Sequence, residues 1–441
     1  MTEESVIQLF CPVRRVGADD QHHFFGYYNK CPWDKTAQYL LSQRVPMMTA
    51  NLSGSEIAEV GFFDLENQDA FQVIGKTSAW NWQMGSQLQW LEGKGQRQVI
   101  YNTRAASRAP LKRVGVIYPD FASTIYNLDT ARSRELPLPV YVVSSNSEYA
   151  LCVDYSRFQV THPTIGYAAT ETEPDLENAP AKDGIFRMDL ETGEAELILS
   201  LMDLRNFQPV KSMDRAIHWV THLEINPGSS RFLFIHRWTE RVEDETCFLH
   251  RLFSANPDGS NLTLLECTDH PLPQLEANFE PNAVGTFDYE KSDHQISHPA
   301  WKNDQQIIVW GPHDGKTRYH LYDDKTEKVS VIGEQCLTEN GHMTYSKDNQ
   351  WLLSDTYPND VTNERLLIIY DVVNGQRYDI GSFYTDPNLG KPNRCDLHPR
   401  WSPDGREVCI DSVHESVRQM YFIDVSSLTI SGTDKLTAVG N

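Results

Sequence analysis

The sequence has no run of roughly 18 apolar residues able to span a bilayer as a helix, and its opening MTEESVIQLFCPVRR has no basic stretch leading into an apolar one. A soluble, cytoplasmic protein with no membrane partner is expected. CxxC pairs are also missing, and the eight cysteines at 11, 31, 152, 247, 267, 336, 395 and 409 are scattered, with Cys152 and Cys409 inside apolar runs. This excludes a disulfide framework and makes most of them small core residues. No segment has a convincing helical period, and no GxSxG elbow is present, which sets aside a peptidase-like hydrolase. Basic residues are scarce: 39 Lys and Arg against 61 Asp and Glu give a net charge of −22. The average surface therefore repels nucleic acid and anionic membrane. A polyanionic sugar would be repelled too, unless the basic residues gather at one site.

What the sequence does have is a repeat. The segment HPRWSPDGREVCIDS from His398 reads as a strand, a Ser-Pro-Asp-Gly turn and a second strand of alternating apolar positions. The unit recurs as HMTYSKDNQWLLSDT from His342, HPAWKNDQQIIVWG from His298 and HLEINPGSSRFLFIHR from His222. Weaker copies start at Tyr141, Gln87 and Lys30. A third strand ending in an Asp-bearing turn follows most hairpins, as in TIYNLDT, GIFRMDLETG and LLIIYDVVNG. Short apolar runs such as AFQVIGK, AELILSL and KVSVIGE supply a fourth. Seven units of four antiparallel strands make an all-β, seven-bladed β-propeller occupying residues 1–441 as one domain. The N-terminal run SVIQLFCPV is expected to pair into the last blade, because covering a sheet edge removes an aggregation hazard.

In a propeller the innermost strands line the channel, so equivalent positions at their starts form a ring at one mouth. Here the ring is Lys30, Gln87, Tyr141, His222, His298, His342 and His398. A single histidine is commonly structural, but four at equivalent positions repel one another when protonated and bind metal when neutral. Cys395 precedes His398 in C-D-L-H. With His298 and His342 it forms a Cys/His set suited to a divalent metal, zinc by preference. At the same mouth, Tyr141 can pass a proton and Arg157 can neutralise a carboxylate, with His222, His236 and Arg237 facing them. Such a group can remove the proton beside a uronate carboxyl. The segments HHFFGYYNKCPW and SAWNWQMGSQLQW combine aromatic faces with polar edges suited to sugar rings, which makes His22, His23, Trp82, Gln83, Gln87 and Asn102 candidate substrate contacts.

The SPDG-type blades, the unit Cys395-x-x-His398-Pro399-Arg400 and the histidines heading earlier blades resemble the β-propeller polysaccharide lyases, namely the oligogalacturonate lyases and the propeller ulvan lyases. The resemblance implies a metal held by a Gln-x-x-His-x-His element and a further histidine. In this sequence Cys395 stands for the glutamine, His398 matches, and Arg400 replaces the last histidine. The ulvan lyases pair a tyrosine with an arginine sixteen positions on, a spacing that Tyr141 and Arg157 repeat. A catalytic histidine pair would be expected on blade two, where Gln83, Gln87 and Asn102 stand instead, none of them a general base at neutral pH. The expectation is thus a lyase-like propeller that binds an acidic oligosaccharide and cleaves it by β-elimination. The alternative is a non-catalytic glycan-binding or scaffold propeller linked to polysaccharide metabolism.

Overall fold

The computed structural model describes residues 6–18, 20–93, 95, 97–104, 121–168, 176–240, 242, 248–268, 295–390 and 392–430. Cys247 lies outside these residues. The strands assemble into seven antiparallel blades. Blade one is β3 (His22–Phe24), β4 (Tyr39–Val45), β5 (Ala58–Asp64) and β6 (Ala70–Thr77). Blade two is β7 (Gln89–Leu91), β8 (Gln98–Arg104), β9 (Phe121–Asn127) and β10 (Arg132–Leu136). Blade three is β11 (Val140–Val143), β12 (Tyr149–Cys152), β13 (Gly184–Asp189) and β14 (Ala195–Ser200); blade four is β15 (Ile217–Ile225), β16 (Phe232–Thr239), β17 (Leu249–Ala255) and β18 (Thr263–Thr268). Blade five is β19 (Ser297–Trp301), β20 (Gln306–His313), β21 (Lys316–Asp323) and β22 (Val329–Ile332); blade six is β23 (Met343–Tyr345), β24 (Trp351–Asp355), β25 (Glu364–Asp371) and β26 (Gln376–Tyr384). Blade seven takes β27 (Arg400–Trp401), β28 (Glu407–Ser412) and β29 (Gln419–Asp424) from the end of the chain.

The core lies between blades, because each sheet packs a neighbour on both faces. Leu233, Ile235 and Leu252 of blade four meet Ile296, Ile307 and Val309 of blade five, and Leu353, Leu367 and Ile369 of blade six meet Val408, Ile410 and Tyr421 of blade seven. This is why β16 and β17 are buried at every position and read as continuous rather than alternating runs. The hairpin turns repeat one geometry: the last turn residue is left-handed at Gly405 (φ +71°), Asn349 (+61°), Ser229 (+55°) and Ser147 (+55°).

Two expectations about the ring's start change. Val6–Gln8 (β1) does not join the last blade; it adds as a parallel fifth strand on β26 of blade six. The strand that closes the ring is Val13–Arg15 (β2), antiparallel to β29 as the outer strand of blade seven. Nor does the inner strand of blade one start at Lys30. It consists of β3 and a bridge from Trp33 to Leu40, and residues 25–31 between them leave the sheet and enter the channel. Short helices also occur, at Tyr155–Thr161 (α1), Leu201–Asn206 (α2) and Ser426–Thr429 (α3); among the described residues none is long and apolar enough to cross a membrane.

Candidate functional site at the channel mouth

Four ring positions sit in left-handed backbone: Gln87 (φ +55°), His222 (+55°), His298 (+51°) and His398 (+43°). None is glycine, so each stores of the order of 1 kcal/mol of strain. The sheet register explains the geometry: pairing slips between Thr221 and Glu224 on β15 and between Ser297 and Ala300 on β19. A bulge of this kind re-aims one side chain out of the pleat. Here it turns the imidazoles inward, and their ring centres approach to 4.0 Å for His298 and His342, 4.3 Å for His342 and His398, and 6.1 Å for His222 and His298.

Residues 25–31 bring Tyr27 and Tyr28 into the middle of this ring. Gly26 makes the entry possible, with φ +122° and a Cβ position 2.8 Å from the Met84 backbone. The Asp411 carboxylate accepts from the Phe25 and Gly26 amides, each at 3.3 Å, and Arg400, paired to Asp411 at 3.1 Å, donates to the Gly26 and Tyr27 carbonyls. Both partners are buried, so this pair fixes the excursion in place. Tyr27 then packs within 5.1 Å of His398, and Tyr28 within 5.3 Å of His342 and 5.8 Å of His298. The Tyr27 hydroxyl is hydrogen-bonded to His222 Nε2 at 2.7 Å, and Thr221 Oγ1 holds His222 Nδ1 at 2.9 Å. Burial, and then the Arg237 charge, hold His222 well below the usual imidazole range, so the ring is neutral at pH 7.

His342, Asp396 and His398 each offer a ligand atom within 4.8 Å of the other two. Asp355 receives His342 Nδ1 at 3.0 Å as well as the His342 and His398 amides. That is the carboxylate–histidine arrangement that orients a metal ligand. His398 is fully buried, yet neither of its ring nitrogens has a hydrogen-bond partner. An imidazole with two orphaned nitrogens in the core is costly unless something else completes it. Burial opposes a charge on Asp396, but Arg394 (2.9 Å) and Arg365 (2.8 Å) overcome it and hold the carboxyl well below its usual range. The donor set is two imidazoles and one carboxylate, which suits a divalent transition ion.

The other sequence candidates lie as follows. Cys395 is not in the donor set: its sulfur faces the Asp396 carbonyl at 4.0 Å, and burial pushes the thiol up to about 11, away from the thiolate a metal needs. The preference for zinc rested on that sulfur. His298 lies beside the set, held by Ser297 (3.1 Å), the Gly341 carbonyl (3.1 Å) and Tyr357 (3.4 Å). Tyr141 lies in the channel wall, its hydroxyl accepting from the His222 amide at 2.8 Å. Arg157, on α1, donates to the carbonyls of His218 (2.6 Å), Glu177 (2.8 Å) and Asn178 (3.0 Å), which directs its guanidinium into the blade. His236 is inside blade four, bonded to His218 at 2.9 Å and Arg251 at 3.2 Å. Arg237 contacts His162 at 3.2 Å, lies 4.5 Å from the Phe248 ring centre and acts electrostatically on His222.

The blade-one and blade-two candidates form walls. His23 is buried against Phe63 and Phe71, His22 accepts from the Arg418 amide at 3.1 Å, and Trp82 is buried with its Nε1 donating to the Thr49 carbonyl at 2.7 Å. Gln83 donates to the Arg394 carbonyl at 3.0 Å, and the Gln87 amide nitrogen reaches the Met84 sulfur at 3.8 Å. Asn102 ties blade two to blade three through Val140 at 2.8 and 2.7 Å. Residues that the register does not single out, Tyr27, Asp355 and Asp396, complete the site. A signal existed for two of them: Asp355 ends its repeat unit just as Asp411 does, and Asp396 lies inside the C-D-L-H element.

No protein-family model matches the sequence, and no curated protein matches it. Solved structures do match by fold. An oligogalacturonate lyase of Vibrio parahaemolyticus superposes with a TM-score of 0.59 at 14% identity, over 94% of each chain. An oligogalacturonate lyase in complex with manganese gives 0.61 at 14% identity, over 94% of this chain and 93% of that one. A puromycin-hydrolyzing peptidase of Mycobacterium tuberculosis gives 0.52 at 9% identity, over 96% of this chain and 56% of that one. The shared property is the propeller fold, which lyases and peptidases both use.

Proposed function

We propose that the channel mouth binds an acidic, uronate-containing oligosaccharide and cleaves it by β-elimination, with a divalent metal held by His342, His398 and Asp396. The observation that carries this reading is His398, fully buried with neither ring nitrogen hydrogen-bonded and with Nε2 4.0 Å from Asp396, beside two other metal-type ligands. The likeness to an oligogalacturonate lyase in complex with manganese supports the same reading, and a nitrogen and oxygen donor set without thiolate agrees with such an ion.

The protein groups divide the work as follows. Arg237 binds the substrate carboxylate, which makes the proton on the adjacent carbon more acidic. His222, kept neutral, accepts the Tyr27 hydroxyl proton at Nε2 across their hydrogen bond, and the Tyr27 phenolate takes the proton from the carbon. The electron pair forms the new carbon–carbon double bond as the bond to the glycosidic oxygen breaks, and the re-formed Tyr27 hydroxyl gives its proton to the departing oxygen. The proton on His222 Nε2 then returns to Tyr27 across their hydrogen bond. A divalent metal held by His342, His398 and Asp396 would supply further neutralisation of the substrate's negative charge. A binding-only propeller is favoured by one fact, that Gln83 and Asn102 of blade two are engaged in structural hydrogen bonds rather than open to substrate.

The test is to supply manganese and uronate-containing oligosaccharides and follow the ultraviolet absorbance of the unsaturated product. Turnover is expected, with Tyr27→Phe lowering kcat by about a hundredfold or more. Stoichiometric metal in the purified protein, lost in His398→Ala, is the accompanying expectation. Glycan binding without product from any uronate polymer selects the binding-only reading.

A further inference from the structure

Lys30 lies on the excursion that carries Tyr27 and Tyr28, and only 9% of it is exposed. Its nitrogen donates to the neutral Asn29 Oδ1 at 3.3 Å and lies 5.3 Å from the Tyr141 ring centre. Among the described residues, no carboxylate forms an ion pair with it. A buried charge without a paired counterion is costly, so these surroundings favour the free amine over the ammonium. The Tyr141 ring face attracts an ammonium weakly, but burial outweighs it and brings the group down to about 7.

A second group belongs to the same cluster. Glu224 stands two residues past His222 on β15, with Oε1 accepting from the Trp301 amide at 2.8 Å and Oε2 from Asn29 Nδ2 at 3.2 Å. Asn29 thus bridges the amine and the carboxyl. Burial lifts the Glu224 carboxyl to about 7, so both of its protonation states are populated at neutral pH. That suits a group which gives a proton and takes it back. Asn29 and Glu224 are half-buried, which leaves a narrow approach to the amine. A free amine is a nucleophile and an ammonium is not, and a desolvated lysine is the kind that condenses with carbonyl compounds.

We infer that Lys30 is a second reactive group, whose amine captures the carbonyl carbon of a small uncharged aldehyde as a Schiff base while Glu224 exchanges the protons. The inference uses none of the uronate chemistry. The Lys30 nitrogen pair bonds to the carbonyl carbon as the carbon–oxygen π pair moves onto oxygen. Glu224 gives that oxygen a proton and takes one from the nitrogen, which leaves a carbinolamine. A second proton from Glu224 lets the hydroxyl depart as water while the nitrogen pair forms the carbon–nitrogen double bond. The iminium proton returns to Glu224, so the sum is amine plus aldehyde giving imine plus water.

The test treats the full chain at pH 7 with glycolaldehyde and cyanoborohydride, which reduces a Schiff base to a stable amine, and reads the labelled positions by peptide mass spectrometry. Lys30 should gain the hydroxyethyl group about tenfold or more faster than the exposed Lys76 and Lys328, because an ordinary lysine is almost wholly protonated at that pH. The label should require both reagents, and the preference for Lys30 should vanish in urea. Glu224→Gln should slow labelling of Lys30 by about tenfold and leave Lys76 unchanged. Labelling of Lys30 no faster than that of Lys76 and Lys328 overturns the inference. Undiminished labelling of Lys30 in Glu224→Gln overturns the proton exchange by Glu224. Neither result bears on uronate cleavage, which is read by the absorbance of its product.

Discussion

At the scale of single residues, the site depends on side chains held in unfavourable states. His398 combines left-handed backbone (φ +43°) with two ring nitrogens that make no hydrogen bond. Replacing it with glycine should remove the ligand and also release the backbone strain, whereas alanine removes only the ligand. In metal-free protein, His398→Gly should therefore be more stable than His398→Ala by about 1 kcal/mol, measurable by urea unfolding. A second stressed pair is Lys30 and Glu224, linked through Asn29 at 3.3 and 3.2 Å. Burial brings the Lys30 ammonium down to about 7, with Glu224 opposing, and burial lifts the Glu224 carboxyl to about 7. Above pH 7 and up to the usual lysine value, the unfolded chain holds a proton that folded Lys30 has released, so this contribution to stability rises with pH. From the usual glutamate value up to pH 7, folded Glu224 holds a proton that the unfolded chain has lost, so its contribution falls as pH rises. The pair places a local minimum near pH 7. Lys30→Met should exceed the wild type in Tm by most at and below pH 7 and by progressively less toward pH 10, as a thermal scan across pH would show.

At the scale of elements, two segments near the N-terminus have unequal importance. β2 supplies the outer strand of blade seven, and Arg14 lies 4.9 Å from the Phe422 ring centre and pairs with Asp69 of blade one. β1 only extends blade six, leaving Val6, Ile7 and Phe10 exposed. Removing residues through Gln8 should change Tm by a few degrees at most. Removing them through Arg15 leaves β29 with an open edge and should lower Tm by about 10 °C or more. Equal losses in calorimetry would show that β2 does not close the ring. The excursion 25–31 is the third decisive element, because it carries Tyr27 to His222 and depends on the buried Arg400–Asp411 pair. Arg400 therefore has a positioning task.

At the scale of the whole molecule, the blades keep several imidazoles neutral in the folded state. Burial holds His218 down to about 4, and burial together with His218 holds His236 well below its usual range. Between those values and the ordinary imidazole value the unfolded chain binds protons that the folded chain does not. Their contribution to stability is present above about pH 6.5 and is lost as pH falls toward 4. Stability should therefore decline steeply across that window, and His236→Gln should reduce the slope by up to one proton, or about 1.4 kcal/mol per pH unit, in denaturant titrations at successive pH values.

The sequence by itself determined the architecture. Turn chemistry at Ser402–Gly405 and its copies, with apolar runs at fixed spacing, specifies seven hairpins, and the register of those hairpins places His222, His298, His342 and His398 at one mouth. Local physics suffices there, because a strand's period and a turn's backbone are set by neighbours in the chain. Only the tertiary structure decided which groups meet. Tyr27 and His222 are 195 positions apart, and Gly26 and Arg400 are 374 apart, so nothing in either segment announces the contact. Arg157 and His236 show the converse: spacing and repeat position put them near the mouth, but their side-chain directions follow from α1 and from the packing inside blade four. A repeat determines position around the ring, whereas direction and partner depend on bulges, excursions and packing between blades that lie far apart in the chain.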